Sequence, residues 1–451
     1  MSTAAVGALY GGSTLFVMFL GVPVAFALGA VAVAFMLIFM PASALDTITQ
    51  NVYEEMGSIT LLSIPLFILK GAAIGKSRAA RDLYAAIHRW LHRVPGGLGI
   101  ANVLACALFA AMAGSSPATC SAVGSAGIPE MRRRGYSGGF AAGLIAAGGT
   151  LGILLPPSIT MILYAVAAQV SLGRLFLAGI VPGLLLVGCF ATYAVFNYRR
   201  EVRIARRIFE QGGPRSPCLE DEHFDLADKL RTLPRALPFV VLLIGVMAAL
   251  YGGYATASET AGLGAMIALL LVMIVYRMWR PRDLAPVFVG TLKESTMLMF
   301  IIGMSVLYAY VMSYLHISQS AAEWIVALAL PRWALLTAIL FLVVALGFFL
   351  PPVSIILMTA PIVLPPLKAE GFDLIWFGVV MTVVMEMGLI HPPVGLNIFV
   401  IRSIAPDLRL SEIIRGVLPL LALMIVAVVL MSFFPHIVTA LPDALMGAAT
   451  S

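Results

Sequence analysis

Charge is what this sequence has least of. Only 11% of its 451 residues are Asp, Glu, Lys or Arg, while 61% are hydrophobic and the mean hydropathy is +1.02. A soluble globular chain is about a quarter charged, so water is not the solvent of most of this chain. Cysteine is nearly as scarce. Cys106, Cys120, Cys189 and Cys218 show neither a CxxC pair nor metal-ligand spacing, and they read as small apolar packing residues. No HExxH pattern occurs, and no motif sets any of the six histidines beside a nucleophile, which argues against the common hydrolase centres. The run from Gly71 to Ser77 is one residue short of a phosphate loop and follows an apolar segment rather than a strand, so ATP is not the energy source. The N-terminus has no basic n-region, and its apolar stretch is too long for a cleaved signal peptide. The net charge of +6 is gathered between apolar runs, which argues against a nucleic-acid partner.

What the chain does have is long apolar runs. Residues 175–197, 255–276 and 413–434 each reach the ~20 residues of a bilayer-spanning helix. They are continuous rather than alternating, which selects helices over a β-barrel. As a single helix, residues 7–40 would be about 50 Å long against ~30 Å of hydrocarbon. A break at Gly21-Val22-Pro23 gives spans 7–20 and 23–40. A span over 58–76 follows, with Lys70 expected to snorkel from its end. Residues 80–90 place Leu83, Ile87 and Trp90 on one face and Arg81 and Arg89 elsewhere, the pattern of an interfacial helix. Residues 98–130 are two short apolar pieces joined by Gly114-Ser115-Ser116-Pro117, a re-entrant hairpin. Such a tip is tolerated in lipid only where its backbone lines a protein-walled cavity. Segments 138–165 and 175–198 complete the half.

Basic residues test the topology. Lys76, Arg78, Arg81, Arg89 and Arg93 precede the hairpin, and Arg132, Arg133 and Arg134 follow it. Arg199 to Arg207, and then Arg277, Arg280, Arg282 and Lys293, fall on the same side. The opposite side collects Arg174, Arg332 and Lys368 alongside Asp46, Glu54 and Glu55. The imbalance makes the basic side cytoplasmic and both termini external, with about ten spans plus two hairpins in an all-α polytopic membrane protein.

The chain also repeats itself. Gly29 and Gly262, Pro117 and Pro352, Pro156-Pro157 and Pro392-Pro393, and Pro182 and Pro419 recur at a nearly constant offset. The expected organisation is an inverted repeat over 1–198, with hairpin 98–130 and broken helix 138–165. A cytoplasmic linker over 199–236 leads to a second repeat over 237–441, with hairpin 333–367 and broken helix 374–401. A periplasmic tail covers 442–451. Inverted repeats with broken helices are secondary-transporter architecture. Proline at each break frees backbone carbonyls, hard oxygen ligands suited to Na⁺, and the helix N-termini beyond the breaks suit an anion. Glu259 and Glu386 lie in apolar stretches, where a carboxylate either takes part in transport or bonds a local amide. His391, beside the second Pro-Pro, reads as a pH-responsive group or as a neutral hydrogen-bonding one. Gly135, Gly139 and Gly143 are spaced for close helix contact.

The segments AGSSPATCSAVGSAGIPEM, GGTLGILLPPSITMILYA and EMGLIHPPVGLNIFVI resemble the large, DctM-like membrane subunit of tripartite ATP-independent periplasmic (TRAP) transporters, and the resemblance runs through essentially the whole chain. It implies an elevator mechanism in the bacterial inner membrane, with Na⁺ as coupling ion. It also implies a small DctQ-like membrane subunit and a periplasmic substrate-binding protein as partners, and a small organic anion, a carboxylate or sulfonate, as cargo. Carried over by position, Ser115, Ser116, Thr119, Gly149, Gly152 and Pro156 form a first sodium site. Leu350, Ser354, Gly388, Pro392 and Gly395 belong to a second, and Ser116, Ser158, Pro352 and Asn397 line the substrate cavity. Two positions depart from the family pattern: Pro351, where an acidic residue is frequent, and His391, where threonine is common. A binding-protein-independent anion symporter of the same architecture is the alternative.

Overall fold

The computed structural model describes residues 2–211, 224–327, 331–348, 350–392 and 395–447. All regular structure among them is helical. Helices α1 (Thr3–Phe19) and α2 (Val24–Phe39) are separated at the expected Gly21–Pro23 break, where Gly21 has φ +84°. Helix α3 (Ala42–Met56) runs into α4 (Ile59–Gly75) at a bend of 49°. Next comes α5 (Ala79–Leu91), which buries Leu83 and Tyr84 and exposes Arg81. Helices α6 (Gly97–Ala113) and α7 (Ser116–Arg133) form the first hairpin. The first broken helix is α8 (Gly138–Leu154) with α9 (Ile159–Ala168), bent by 42°, and α10 (Leu172–Glu210) follows it. Then come α11 (Leu226–Tyr251), α12 (Ala257–Tyr276), α13 (Pro281–Tyr314) and α14 (Ile317–Ala327). The order of hairpin, broken helix and long helix then recurs as α15 (Arg332–Gly347) with α16 (Pro352–Ala369), α17 (Leu374–Ile390) with α18 (Leu396–Ile404), and α19 (Leu410–Phe433). Helix α20 (His436–Met446) ends the described chain.

Six helices among the described residues are long and apolar enough to cross a bilayer, or eight when each bent pair counts as one span. One of the six is α16, half of the second hairpin, which qualifies at 18 residues. Helices α1 and α2, of 17 and 16 residues, extend only about 25 Å and fall short of the hydrocarbon thickness.

Two differences from the sequence reading concern polar segments. No span is expected between 41 and 57, and α3 lies there as an amphipathic helix. The linker expected from 199 is helical through Glu210, because nothing between Arg199 and Glu210 breaks a helix. At 39 residues α10 is about 58 Å long, so its arginine-rich end projects well past the hydrocarbon. The Gly212-Gly213-Pro214 and Glu220-Asp221-Glu222 parts of that linker lie outside the described residues.

Helix α8 is the axis of the core. It is buried continuously from Phe140 to Leu154 and packs against α6, α7, α17 and α19. A helix that is apolar all round must be enclosed by protein or lipid, and here small residues let other helices come close enough to do it. A methyl group on Gly139 would lie 2.8 Å from the Glu412 carbonyl oxygen, and one on Gly416 would overlap the Gly139 carbonyl. A second cluster joins α1, α2 and α13, where Tyr10 stacks on Tyr308 at 4.2 Å and donates to the Tyr308 carbonyl at 3.0 Å. Lys70 does not snorkel. It is 2% exposed, with its ammonium 5.0 Å from the Phe67 ring centroid.

Two predictions follow from this packing. Gly416→Val forces α19 away from α8 and lowers the detergent melting temperature by several degrees, a loss of about 1–3 kcal/mol from overpacking, read by fluorescence-detected size exclusion. Burial on α5, with Arg134 nearby, pushes the His88 imidazole down to about 4. Its folded value lies below its unfolded one, so its contribution to stability is complete above about pH 6.5 and lost as pH falls toward 4. His88→Leu therefore flattens that part of the pH–melting curve.

Candidate functional site

Glycine opens the first hairpin tip. Gly114 ends α6 at φ +64°, Ser115 is extended, and α7 starts at Ser116 with Pro117 in its first turn, where a missing N–H costs nothing. The tip fits against the break of the α8–α9 helix. A methyl on Gly114 would lie 2.9 Å from the Pro157 carbonyl oxygen, and one on Gly152 would lie 2.8 Å from the Ser115 carbonyl oxygen. Thr119 Oγ1 donates to that same Ser115 carbonyl at 2.8 Å. Pro156 and Pro157, joined by a cis bond, divide α8 from α9, and Ser158 caps α9 by accepting from the Met161 N–H at 3.3 Å.

The second half of the chain enters the same place. Asn397, in the first turn of α18 and fully buried, donates through Nδ2 to Ser116 Oγ at 2.8 Å and to the Ala146 carbonyl at 3.2 Å. Gly149 makes room chiefly for Cys120, whose sulfur a methyl there would overlap, and such a methyl would also lie 3.2 Å from the Ser116 carbonyl oxygen. The expected residues Ser115, Ser116, Thr119, Gly149, Gly152 and Asn397 are thus brought together, and Pro156 and Ser158 lie at the adjoining break. Glu386, on α17 and 1% exposed, faces the Ser116 hydroxyl and lies near Cys120.

The second break is built similarly. A methyl on Gly388 would lie 2.8 Å from the Gly347 carbonyl oxygen, which holds α17 against the end of α15. His391 stacks on Phe348 with ring centroids 4.6 Å apart, and its Nδ1 contacts the Pro392 carbonyl. Leu350 and Pro351 lead into α16, where Pro352 opens the helix and Ser354 is fully buried with no partner for its hydroxyl among the described residues. Gly395 starts α18 at φ +49°. Pro393 of the second Pro-Pro lies outside the described residues.

Glu259 is not brought here. It is exposed in the first turn of α12 and accepts from the Thr256 N–H and hydroxyl, both at 2.8 Å, in a capping box. Gly347 is a member of the second break that the sequence reading does not name. Its signal would have been a glycine just ahead of a proline-rich tip.

A cavity of about 390 Å³ lies apart from these residues, between α9 and α16 on one side and α13 and α14 on the other. Glu55 is its one charged lining residue among those described, so it does not have the chemistry of an anion site. Buried oxygens of Ser354, Glu386 and Asn397 have no partner among the described residues, and the same holds for the hydroxyls of Ser305 and Ser318 that line this cavity.

Comparison with known proteins places the chain in a family. The profile of the family described as tripartite ATP-independent periplasmic transporter, DctM component, matches residues 12–437. The C4-dicarboxylate TRAP transporter large permease protein DctM of Pseudomonas aeruginosa is 38% identical over 407 residues, 90% of this chain and 91% of that one. The isethionate TRAP transporter permease protein DctMQ of Oleidesulfovibrio alaskensis is 30% identical over 429 residues, 95% of this chain and 65% of that protein. The crystal structure of the Alcanivorax borkumensis YdaH transporter superposes with a TM-score of 0.63 at 13% identity, covering 95% of this chain and 98% of that one, a likeness of fold.

The Asn397–Ser116 bond predicts energetic coupling between the two halves of the chain. Ser116→Ala and Asn397→Ala should each lower stability by about 1 kcal/mol or more, and the double variant by clearly less than the sum. Additive losses in a denaturant double-mutant cycle would show that the bond carries no energy.

Proposed function

We propose that this chain, which belongs to the DctM component family of the tripartite ATP-independent periplasmic transporters, carries a small organic anion inward together with Na⁺ after a periplasmic binding protein has delivered it. The chain is a multi-pass large permease subunit and not an enzyme. The observation that carries the functional reading is the Asn397–Ser116 bond, which seats the start of α18 against the first hairpin tip from 281 residues away.

Each break contributes two kinds of group. Carbonyls at Pro156 and Leu350 offer oxygen ligands for Na⁺, and the buried Ser354 hydroxyl and Asn397 amide oxygen are left without partners among the described residues. The N-termini of α7, α16 and α18 present N–H groups and partial positive charge to a carboxylate or sulfonate. In this reading the hairpins and broken helices move as one body against the outer helices, in an elevator motion. The two halves are inverted repeats in a bacterial inner membrane, and both termini are periplasmic. A small DctQ-like subunit widens the fixed part, and the relative whose name joins M and Q, of which this chain covers 65%, supports that partner. The relatives named for C4-dicarboxylate and for isethionate support a carboxylate or sulfonate cargo. Two Na⁺ with a dianion would cross electroneutrally, whereas one excess positive charge would gain about 2.3 kcal/mol per 100 mV.

The test is uptake into proteoliposomes holding this chain and its small subunit, with the cognate binding protein and its ligand outside. We expect uptake to require both an inward Na⁺ gradient and the binding protein, and Ser116→Ala to cut it about tenfold, the scale of one lost ion ligand, at unchanged membrane content. Uptake that persists without the binding protein would establish the self-sufficient symporter instead, and uptake indifferent to Na⁺ would refute the coupling.

A further inference from the structure

Glu386 is a carboxylate without a counter-charge. It is 1% exposed within α17, and neither of its oxygens has a hydrogen-bond partner among the described residues. Among the described residues no salt bridge reaches it. The polar side chain facing it is the Ser116 hydroxyl, and Cys120, one turn further along α7, is its other polar neighbour. On the other flank of Ser116 stands Asn397, fully buried, with its Nδ2 committed at 2.8 and 3.2 Å and its Oδ1 unpartnered. Two carboxylate oxygens and one amide oxygen are therefore left over around a single hydroxyl, in a place walled off from water.

Leftover acceptors of this kind need a reason. An isolated buried carboxylate is strongly disfavoured unless a positive partner reaches it, and nearly all buried polar atoms in folded proteins are paired. A proton would neutralise the carboxyl, but a small metal cation would neutralise it and also engage the neighbouring hard oxygens. A divalent ion would exchange one uncompensated charge for another, since Glu386 is the only acid in the cluster. A monovalent cation neutralises the carboxylate exactly once and takes its remaining ligands from Asn397 Oδ1 and Ser116 Oγ.

We propose that Glu386, Asn397 and Ser116 form a monovalent-cation site with its own anionic ligand, distinct from the neutral backbone sites at the two proline breaks. The assignment rests on the sodium-coupled reading and deepens it. Ser116 is common to this site and the first hairpin tip, so the ion at Glu386 stabilises the same hydrogen bond that joins α7 to α18. The carboxylate is also fixed to the hairpin body. It leaves that body negative when the site is vacant and neutral when it is filled, so the site adds one charge to what differs between the loaded and unloaded states.

The experiment is thermal unfolding of the purified subunit pair in NaCl against choline chloride at equal ionic strength, without substrate. Wild type should melt higher in Na⁺, and Glu386→Gln should lose about half or more of that rise, because each occupied site adds its own mass-action increment. Glu386→Asp should recover part of it. A Gln variant with the full wild-type Na⁺ response would overturn the assignment and leave Glu386 as a neutral acid, with the proposed function intact. A wild type that ignores Na⁺ would overturn both the site and the coupling. A measurement on wild type guards against a variant that does not fold: modification of Glu386 by dicyclohexylcarbodiimide, followed by mass spectrometry, should slow severalfold in Na⁺ relative to choline. A yield that does not change with Na⁺ counts against the site.

Discussion

Hydrocarbon offers a peptide group nothing to bond with, and that one fact organises this molecule. Every N–H and C=O released at a helix break in the bilayer has to be satisfied by protein or reserved for cargo. The chain breaks its helices at Gly114-Ser115, at Pro156-Pro157, near Pro351 and at His391-Pro392, and at each break another segment closes in. The Ser115 carbonyl is met by Thr119, the Pro157 carbonyl lies against Gly114, and the Gly347 carbonyl lies against Gly388. The apolar bulk of the remaining helices serves to keep lipid and water away from these few places.

Packing this close depends on residues that contribute almost no side chain. Helix α8, with its run of glycine and alanine, touches α6, α7, α10, α17, α18 and α19 as well as its own continuation α9, and is enclosed along nearly its whole length. Without a Cβ atom at Gly152 the Ser115-Ser116 backbone can reach its surface, and without one at Gly149 the Cys120 sulfur can. Stability and site are therefore the same feature: the absence of side chains that lets the core close also brings the polar groups of the two hairpin regions within reach of one another.

Most of the architecture was legible because glycine and proline punctuate it. The hairpin tips, the two broken helices and the amphipathic α5 fall where those residues and the apolar periodicity place them. The run-on of α10 to Glu210 was not, because a row of arginines looks like an aqueous loop although nothing in it prevents a helix. The two acidic candidates show the limit more sharply. Glu259 carried a readable local signal, Thr256 three residues before it, the spacing of a capping box. Glu386 carries no such signal, and its neighbours Ser116 and Asn397 come from opposite halves of the chain. Which oxygens stay unpaired is decided by tertiary contact, so the family resemblance could name Ser116 and Asn397 as candidates without indicating that they bond each other.

The seam between α8 and α19 has a kinematic consequence. With the Gly416 Cα pressed onto the Gly139 carbonyl and Gly143 onto the Gly416 carbonyl, the two backbones interlock with no lubricating layer of side chains. A slip plane needs clearance or interchangeable knobs, and this seam has neither. In the elevator motion proposed above, the shear between moving and fixed helices would have to run outside α19, and that helix would travel with the hairpins.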